Sequence, residues 1–380
     1  MLDLSKRTAY NQDHDLFREQ IRKFIERNLL PNVDRWEKAG IVDRQFFLKC
    51  GEAGMLCPTV PEAYGGMGLD FGFNSVVNEE VSYTGCPVGL TLQSDVAVGY
   101  IINYGSEEQK QEWLPKMVSG EVVAAIAMTE PGTGSDLQGI RTTAIKDGNH
   151  YVINGSKTYI TNGQNADLII VVAKTDPNQG AKGTSLILVE ADREGFARGR
   201  NLDKIGQHAA DTSELFFDNV RVPTSNCIGD EGAGFVYLMN QLPQERLTIA
   251  IGTQAAAQRA FDEALAFTKE RNAFGRPIFQ FQNTRFELAD MAAKLQVGWA
   301  HIDWALTRHL DGKLTAAEAS AAKLFHSNMQ GEICDKALQL HGGAGYMSEY
   351  LVGRLWTGAR VSRIFGGTNE IMKEVIARDL

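Results

Sequence analysis

The chain has 380 residues, of which 43% are apolar and 22% charged, a balance that is typical of folded globular proteins and excludes wholesale disorder. Its 47 acidic residues outnumber its 38 basic ones, and the net charge of −9 argues against a general binder of nucleic acid or anionic membranes. No apolar run approaches the ~18 residues that span a bilayer, and residues 168–173 form a strand-sized one. At about 150 residues per domain, the length predicts two to three domains.

The cysteines and the N-terminal segment bear on the cellular compartment. Five cysteines occur at wide spacing and without a CxxC pair, which predicts buried free thiols in a reducing compartment. The first 15 residues contain no apolar stretch of the kind found in secretory signals. We therefore predict a cytoplasmic protein, with the mitochondrial matrix as the alternative if a transit peptide has been removed.

Residues 1–120 predict an N-terminal helical domain. Apolar side chains recur at helical spacing over residues 17–25. Ser106 and Gln109 have the spacing of a capping box and predict the start of another helix. Further helices are expected over residues 74–83 and 96–104.

Residues 121–233 predict a middle β domain, because the segments shorten and β-branched residues become frequent. Asn154-Gly155 lies between two apolar runs, which predicts a hairpin turn at this point. Several short strands with turn residues between them indicate a small β-barrel or a sandwich. The other strand candidates are residues 168–174, 184–190, 214–217 and 220–222.

Residues 234–380 predict a C-terminal helical bundle. Three long segments are rich in Ala, Leu and Ile at helical periodicity and correspond to rods of roughly 35–45 Å. A short final helix follows a pair of glycines. The predicted helices cover residues 246–270, 281–310, 316–340 and 368–379.

Three glycine-containing segments are candidates for ligand binding. Residues 125–136 read AIAMTEPGTGSD, in which proline and glycines prevent regular structure and let backbone amides approach a flat or anionic ligand. Residues 339–346 read QLHGGAGY, and residues 360–372 read RVSRIFGGTNEIM. In the last segment two glycines precede Thr368, a helix start whose free amides suit an anion or a developing oxyanion. A plain turn and simple helix capping are the alternative interpretations.

These segments, in this order and spacing, closely resemble those of the acyl-CoA dehydrogenases. Residues 159–161 (YIT) and 271–275 (RNAFG) match as well, so the resemblance covers essentially the whole chain. It implies a mainly α fold with a central β domain: an N-terminal helical domain, a small β-barrel and a C-terminal four-helix bundle. It also implies FAD as cofactor, an acyl-CoA substrate, a homotetramer built as a dimer of dimers, and electron transfer flavoprotein as electron acceptor.

The resemblance assigns binding residues position by position. Residues expected to line FAD within one subunit are Ile126, Met128, Thr129, Gly134, Ser135, Tyr159, Ile160, Thr161, Thr368 and Glu370. Residues expected to reach the FAD of a neighbouring subunit are Arg271, Phe274, Phe281, Gln282, Gln339, Leu340, Gly342 and Gly343. Residues expected to bind the substrate are Ser135, Gln244, Arg246, Gly366 and Gly367.

One departure from the family pattern locates the catalytic base. The implied reaction is α,β-dehydrogenation to the trans-2-enoyl-CoA, in which a carboxylate removes the α proton and the β hydrogen passes as hydride to flavin N5. Most of the family carries the glutamate directly before Gly-Thr, where this chain has Gly366. Its isovaleryl and long-chain members place it on the first bundle helix before an arginine, which matches Glu245 and Arg246. We predict Glu245 as base, with the Gly366 amide as oxyanion donor.

Other functions share this fold. The missing glutamate at position 366 favours a non-catalytic flavoprotein partner, while Glu245 argues against it. An acyl-CoA oxidase of the same fold is a further alternative, whereas a nitroalkane oxidase needs an aspartate at position 366. The PQER segment that contains the predicted base, followed later by GGTNEIMKE, most resembles the long-chain members, and branched chains or an acyl group on a carrier protein stay open.

Overall fold

The computed structural model describes residues 7–380. Helices occupy the chain up to Ser119, strands occupy residues 124–223, and helices return from Gly234 onward. The three-part order of helical, β and helical segments is confirmed. The N-terminal helices are α1 (Gln12–Phe24), α2 (Val33–Ala39), α3 (Arg44–Glu52), α4 (Phe71–Tyr83), α5 (Val98–Tyr104) and α6 (Glu107–Ser119).

The capping box predicted for α6 is present. The Gln109 amide donates to Ser106 Oγ at 3.2 Å, and the Ser106 amide donates to Gln109 Oε1 at 3.1 Å. The helix predicted over residues 96–104 begins earlier and changes form, because a π-helical turn over Leu92–Ala97 leads directly into α5. This turn places the Asp95 side chain inside the protein, where it contacts α4 and the bundle.

A buried ionic cluster joins the N-terminal domain to the bundle. Glu79 on α4 lies 3.1 Å from Arg7 Nη2 and 2.8 Å from Arg18 Nη1, and it accepts a hydrogen bond from the Tyr10 hydroxyl at 2.7 Å. Arg7 also pairs with Asp303 of the bundle. Burial by itself raises the pKa of Glu79, but the two arginines and Tyr10 reverse this and hold the pKa below its usual value.

The middle domain is one mixed sheet of seven strands that curls into a half-barrel. The strand order is β1-β4-β2-β3-β7-β6. β5 lies outside this order and pairs with the other edge of β4. β4 is buried along its whole length, as expected for a strand covered on both sides. The strands are β1 (Ala124–Ala127), β2 (Thr143–Asp147), β3 (His150–Thr161), β4 (Leu168–Lys174), β5 (Thr184–Glu190), β6 (Phe196–Asn201) and β7 (Thr212–Pro223).

The predicted hairpin at Asn154-Gly155 is wrong, because the turn lies at Gly148-Asn149. Asp147 pairs with His150 and leaves a two-residue loop in which Gly148 has a φ of +62°. Asn154-Gly155 instead sits at a bulge inside β3, where the register with β7 shifts. A Cβ on Gly155 would lie 2.5 Å from the Thr142 hydroxyl, so the glycine serves a close approach of strands rather than a turn.

The C-terminal domain is built on three long helices and two short ones. α7 begins at Gly234 rather than at residue 246 and continues through Pro243. Near their N-terminal ends, Arg246 of α7 contacts Ser320 of α9. Near their C-terminal ends, Phe267 of α7 stacks on His341 of α9, so the two helices run parallel. The helices are α7 (Gly234–Glu270), α8 (Gln282–Leu310), α9 (Ala316–His341), α10 (Leu351–Ala359) and α11 (Asn369–Ala377).

The five cysteines are free thiols, and all except Cys227 are buried, which confirms the prediction from their spacing. From residue 7 to the C-terminus, the structure contains no helix with both the length and the apolar character that crossing a bilayer requires.

We expect Glu79→Ala to destabilise the protein by about 3–5 kcal/mol, because it leaves two buried arginines without their common anion. Urea unfolding of the variant should show a lower midpoint at pH 7. The loss should shrink on acidification, since protonating Glu79 in the parent protein removes the same ion pairs. Glu374→Ala, which breaks the exposed pair with Arg378, is the control and should change stability by less than about 1 kcal/mol. Equal effects of both substitutions would contradict this account.

Candidate active site

Glu245 lies on α7 with its side chain buried against α5. The Tyr100 hydroxyl donates to Glu245 Oε1 at 2.7 Å, and Tyr100 itself is fully buried. Burial raises the pKa of Glu245 to about 7, against the lowering influence of the Tyr100 hydrogen bond and of the Arg246 charge. A carboxyl group with this pKa can accept and release a proton near neutral pH.

Arg246 is buried beside Glu245 and turns toward α9. Its Nη1 donates to Ser320 Oγ at 3.0 Å, while its Nε has no hydrogen-bond partner among the described residues. Desolvation lowers the pKa of Arg246 from its ordinary value, although the neighbouring Glu245 opposes this. A buried guanidinium with a free donor fits a site that receives a polar group from a ligand.

The loop before α11 presents two glycines at a helix start. Gly366 and Gly367 have φ values of +64° and +90°, a region that favours glycine. Thr368 is the N-cap of α11, and its hydroxyl accepts from the Ile371 amide. The loop therefore leaves backbone amides directed away from regular structure, next to the positive end of a helix.

A fully buried lysine holds this loop to α9. Lys323 Nζ donates to the Gly367 carbonyl at 2.8 Å and to Asn369 Oδ1 at 2.9 Å. Burial, followed by the nearby Arg246 charge, lowers the pKa of Lys323 to about 8. Sequence reasoning missed this residue. The signal that could have revealed it is a lone lysine within the apolar stretch ASAAKLF over residues 319–325.

The candidate base and the glycine loop lie along the same face of α7. A Cβ placed on Gly366 would lie 2.2 Å from Ile249 Cδ1, so Ile249 touches the loop. Glu245 is four residues before Ile249 and shares its face of the helix. The structure thus brings together Glu245 and Gly366, which are 121 positions apart in the sequence.

Gln244, predicted to bind substrate, contacts the π-helical turn of the N-terminal domain. Its Nε2 donates to the Asp95 backbone carbonyl at 2.6 Å. The buried Asp95 carboxylate accepts from Asn74 at 2.9 Å and from Thr248 at 3.3 Å, and burial raises its pKa to about 7. This second buried acid beside the base was also missed by sequence reasoning.

A buried ion pair braces the loop that begins at Thr129. Lys157 on β3 donates to Glu130 Oε1 at 2.9 Å and to the Met128 carbonyl at 3.0 Å. Glu130 also accepts the amides of Arg141 and Thr142 at 2.7 and 2.9 Å. Burial would raise the pKa of Glu130, but Lys157 and these donors lower it overall.

The braced loop and β3 form an open surface that fits a flat ligand. The Thr158 amide donates to the Thr129 carbonyl at 2.9 Å, which sets the start of the loop beside the strand. Tyr159 has a φ of +59° and a side chain that is 69% exposed, an unusual backbone for a bulky residue. Around Gly132 and Gly134 a Cβ would meet no atom within 4 Å.

The remaining residues predicted for this surface take different positions. Met128 and Thr161 are half-buried, and Ser135 is exposed on the loop. Ile126 and Ile160 have buried side chains, so only their backbone groups are available to a ligand. Glu370 is exposed in the first turn of α11, where its charge favours the helix dipole.

The other predicted binding residues lie at the opposite end of the bundle. Arg271 follows the last residue of α7, roughly 40 Å along the helix from Glu245. Phe274 is 95% exposed and has a φ of +52°, and its ring lies 6.1 Å from that of Phe281 in an edge-on arrangement. The exposed members at this end are Arg271, Phe274, Gln282, Gln339, Gly342 and Gly343, while Phe281 and Leu340 are half-buried.

Known sequence families match the chain in three consecutive parts. The acyl-CoA dehydrogenase N-terminal domain matches residues 11–121, the middle domain residues 125–220 and the C-terminal domain residues 232–380. The chain therefore belongs to the acyl-CoA dehydrogenase family, whose members are flavin-dependent oxidoreductases.

Individual relatives agree with the family assignment. The chain is 45% identical to the long-chain specific acyl-CoA dehydrogenase, mitochondrial, of Sus scrofa, over 100% of this chain and 89% of that protein. It is 35% identical to the isovaleryl-CoA dehydrogenase, mitochondrial, of Oryza sativa, over 98% of this chain and 92% of that protein. A crystal structure of an acyl-CoA dehydrogenase from Geobacillus kaustophilus superimposes with a TM-score of 0.97 at 48% identity, covering 98% of this chain and 99% of that one.

We expect Lys157→Met to destabilise the protein by about 3–5 kcal/mol, because Glu130 is left buried without its cation. The same change should lower FAD retention on gel filtration, since it frees the start of the loop that begins at Thr129. Lys146→Met is the control. It removes an exposed lysine of the same sheet, whose Nζ lies 3.8 Å from Glu231. Unaltered unfolding and FAD retention in Lys157→Met would rule out the bracing role.

Proposed function

We propose that this protein catalyses the FAD-dependent α,β-dehydrogenation of an acyl-CoA thioester to the trans-2-enoyl-CoA, with Glu245 as the base. The observation that carries the proposal is the burial of Glu245 on the face of α7 that meets the Gly366 loop. A carboxylate there can take the α proton, while an amide of the loop stabilises the enolate charge that develops on the thioester oxygen.

The surrounding residues divide the work of binding and orientation. Arg246 offers a buried cationic donor beside the base, and Gln244 holds the π-helical turn against α7. Gly366 and Gly367 supply the loop amides, and Ser135 offers a hydroxyl from the exposed end of the loop that begins at Thr129. The Gly366 amide belongs to the backbone. The departure from the commoner family pattern removes a side chain and leaves this donor intact.

The residues present fit FAD as the cofactor. The loop that begins at Thr129 is hydrogen-bonded to β3 and lies beside the exposed Tyr159. Together with the unobstructed glycines of the loop, this surface suits a flat ring system and phosphate groups. Thr368 and Glu370 stand at the start of α11, where free amides suit polar ligand atoms. When bound, FAD supplies the two-electron acceptor for the β hydrogen.

The two ends of the bundle support a homotetramer built as a dimer of dimers. Glu245 and the glycine loop lie at one end, whereas Arg271 and Gly343 lie at the other, roughly 40 Å away along α7. The second group is exposed and shares no contact with the first, as expected if it completes the cofactor site of a neighbouring subunit.

For the substrate, we propose a long-chain acyl-CoA, supported by the identity to the pig enzyme, with branched chains as the alternative supported by the rice enzyme. Electron transfer flavoprotein is the proposed electron acceptor. We keep the cytoplasm as the proposed compartment, with the mitochondrial matrix as the alternative that both relatives' names support.

We expect Glu245→Gln to retain FAD and to bind acyl-CoA but to reduce its flavin about 10²–10⁴-fold more slowly, because the amide cannot take the α proton. Anaerobic stopped-flow mixing with palmitoyl-CoA or isovaleryl-CoA measures this rate as loss of flavin absorbance. Wild-type protein that does not bleach with any of a panel of straight and branched acyl-CoAs would favour a non-catalytic flavoprotein. Peroxide formation under air would favour an oxidase, and a wild-type rate in Glu245→Gln would refute the base assignment.

A base moved to the commoner family position should work only if Ile249 makes room. In Glu245→Gly/Gly366→Glu, the new side chain meets Ile249 Cδ1 and needs a left-handed backbone that costs about 1–2 kcal/mol. Adding Ile249→Ala should make flavin reduction at least about tenfold faster than in the double variant, because small misplacements of a catalytic group are costly. The rates come from the same stopped-flow assay, and equal rates in both variants would show that Ile249 is not the obstacle.

The far end of the bundle should contribute to FAD binding only in the oligomer. We expect Arg271→Ala to weaken FAD binding by at least about tenfold and to shift the oligomer toward smaller species at low concentration, because the ligand stabilises the assembled form. Fluorescence titration of apoprotein with FAD and sedimentation velocity measure the two effects. Arg221→Ala, an exposed arginine of the middle domain, is the control. A stable monomer that binds FAD normally would contradict the shared site.

A further inference from the structure

The hydrogen bond between Tyr100 and Glu245 joins the N-terminal domain to the candidate base. Tyr100 Oη lies 2.7 Å from Glu245 Oε1, and the tyrosine side chain is fully buried. Between residue 7 and the C-terminus, no other hydrogen bond reaches the Glu245 side chain. A phenol beside a carboxylate must donate, so the bond is strongest when Glu245 is the anion.

Tyr100 is held in place by the neighbours of Glu245 on α7. Gln241 Nε2 donates to the Gly99 carbonyl at 3.2 Å, and Gln244 Nε2 donates to the Asp95 carbonyl at 2.6 Å. These two bonds fix the backbone that leads into Tyr100. They hold this part of the N-terminal domain against α7 and so keep the phenol beside Glu245.

The other charged and titratable groups around the base have partners elsewhere. Arg246 bonds to a serine of α9, Lys323 bonds to the glycine loop, and the Asp95 carboxylate accepts from α4 and α7. Tyr104, one turn along α5, stacks on another tyrosine at 4.0 Å. None of them shares the direct bond that Tyr100 makes with Glu245.

We propose that Tyr100 is a positioning residue for the reaction: its hydroxyl fixes Glu245 Oε1 and stabilises the anionic carboxylate, which leaves Oε2 as the oxygen that takes the α proton. This inference rests on the proposed function of Glu245. It assigns a contribution to the reaction to the N-terminal domain.

The bond sets the pH range in which the base is active. Burial raises the pKa of Glu245 to about 7, and the Tyr100 hydroxyl limits that rise because it favours the charged form. Removing the hydroxyl should therefore raise the pKa further, by about one unit for the loss of a charge-assisted hydrogen bond. The base would then be protonated over more of the neutral range.

The first test is the pH dependence of anaerobic flavin reduction by palmitoyl-CoA in the holoenzyme. In wild type the rate should rise with pH through a limb near the pKa of Glu245. Tyr100→Phe should move this limb about one unit upward and lower the rate at pH 7 by about fivefold, with little change in acyl-CoA binding. Tyr104→Phe, from the same helix, should leave the limb unchanged. A limb at the wild-type position in Tyr100→Phe overturns the proposal.

A second readout does not depend on turnover. Infrared titration of the purified protein follows the carbonyl band of protonated carboxyl groups, and the component lost in Glu245→Gln identifies Glu245. This component should persist to higher pH in Tyr100→Phe than in wild type. In a Glu245→Gln background, Tyr100→Phe should cause no further change in the band.

The two readouts separate the outcomes. If wild type reduces no flavin but the infrared component shifts, the proposed function fails while the coupling of Tyr100 to Glu245 stands. If wild type is active and neither the limb nor the infrared component shifts, Tyr100 has only a packing role and the inference is wrong. If Tyr100→Phe unfolds, Tyr100→His, which keeps a hydrogen-bond donor, should restore folding and a limb nearer the wild-type position.

Discussion

The helix α7 is the constraint on which the rest of the structure depends. Its 37 residues carry Glu245 near one end and lead directly into Arg271 at the other. All three domains contact it: α4 through Asn78 to the Thr248 carbonyl, β5 through the close approach at Gly234, and α9 through Arg246. Because a helix is a rigid rod with a fixed rise, the positions of the candidate base and of the predicted binding residues at the far end are set together.

The candidate site concentrates buried charges that have neutral partners. Elsewhere, such charges occur singly, as at Lys174 and Asp211, or lie in direct ion pairs, as in the cluster around Glu79 and the pair of Lys157 with Glu130. At the site, Glu245, Arg246 and Lys323 bond instead to neutral groups of Tyr100, Ser320 and the glycine loop. Charged groups held by neutral partners have shifted pKa values and stay free to respond to a ligand, which is the arrangement that active sites favour.

The proposed shift of the base from the glycine loop to α7 has a structural counterpart. Position 366 has a left-handed backbone and lies against Ile249, so a glutamate there would need both strain and space. Glu245 reaches the same region from the facing helix without either cost. The two arrangements are alternative solutions to placing one carboxylate beside the same backbone amide.

Much of the fold and part of the site were readable from the sequence. Helical periodicity located the long bundle helices, the capping box located α6, and the family motifs with the glycine at position 366 led to Glu245. These signals are local, since each depends on residues within a few turns of one another or on a contiguous string. The sequence by itself thus determined the family, the order of the domains and the predicted base.

The tertiary structure decided what depends on distant pairing. The hairpin turn lies at Gly148 and β3 bulges at Gly155 against β7, because strand register is set across the sheet rather than within the run. Tyr100 and Glu245 are 145 positions apart, and Lys323 is 44 positions from Gly367. No local pattern marks such partners, because a buried tyrosine or lysine acquires its role only from the groups that folding brings against it.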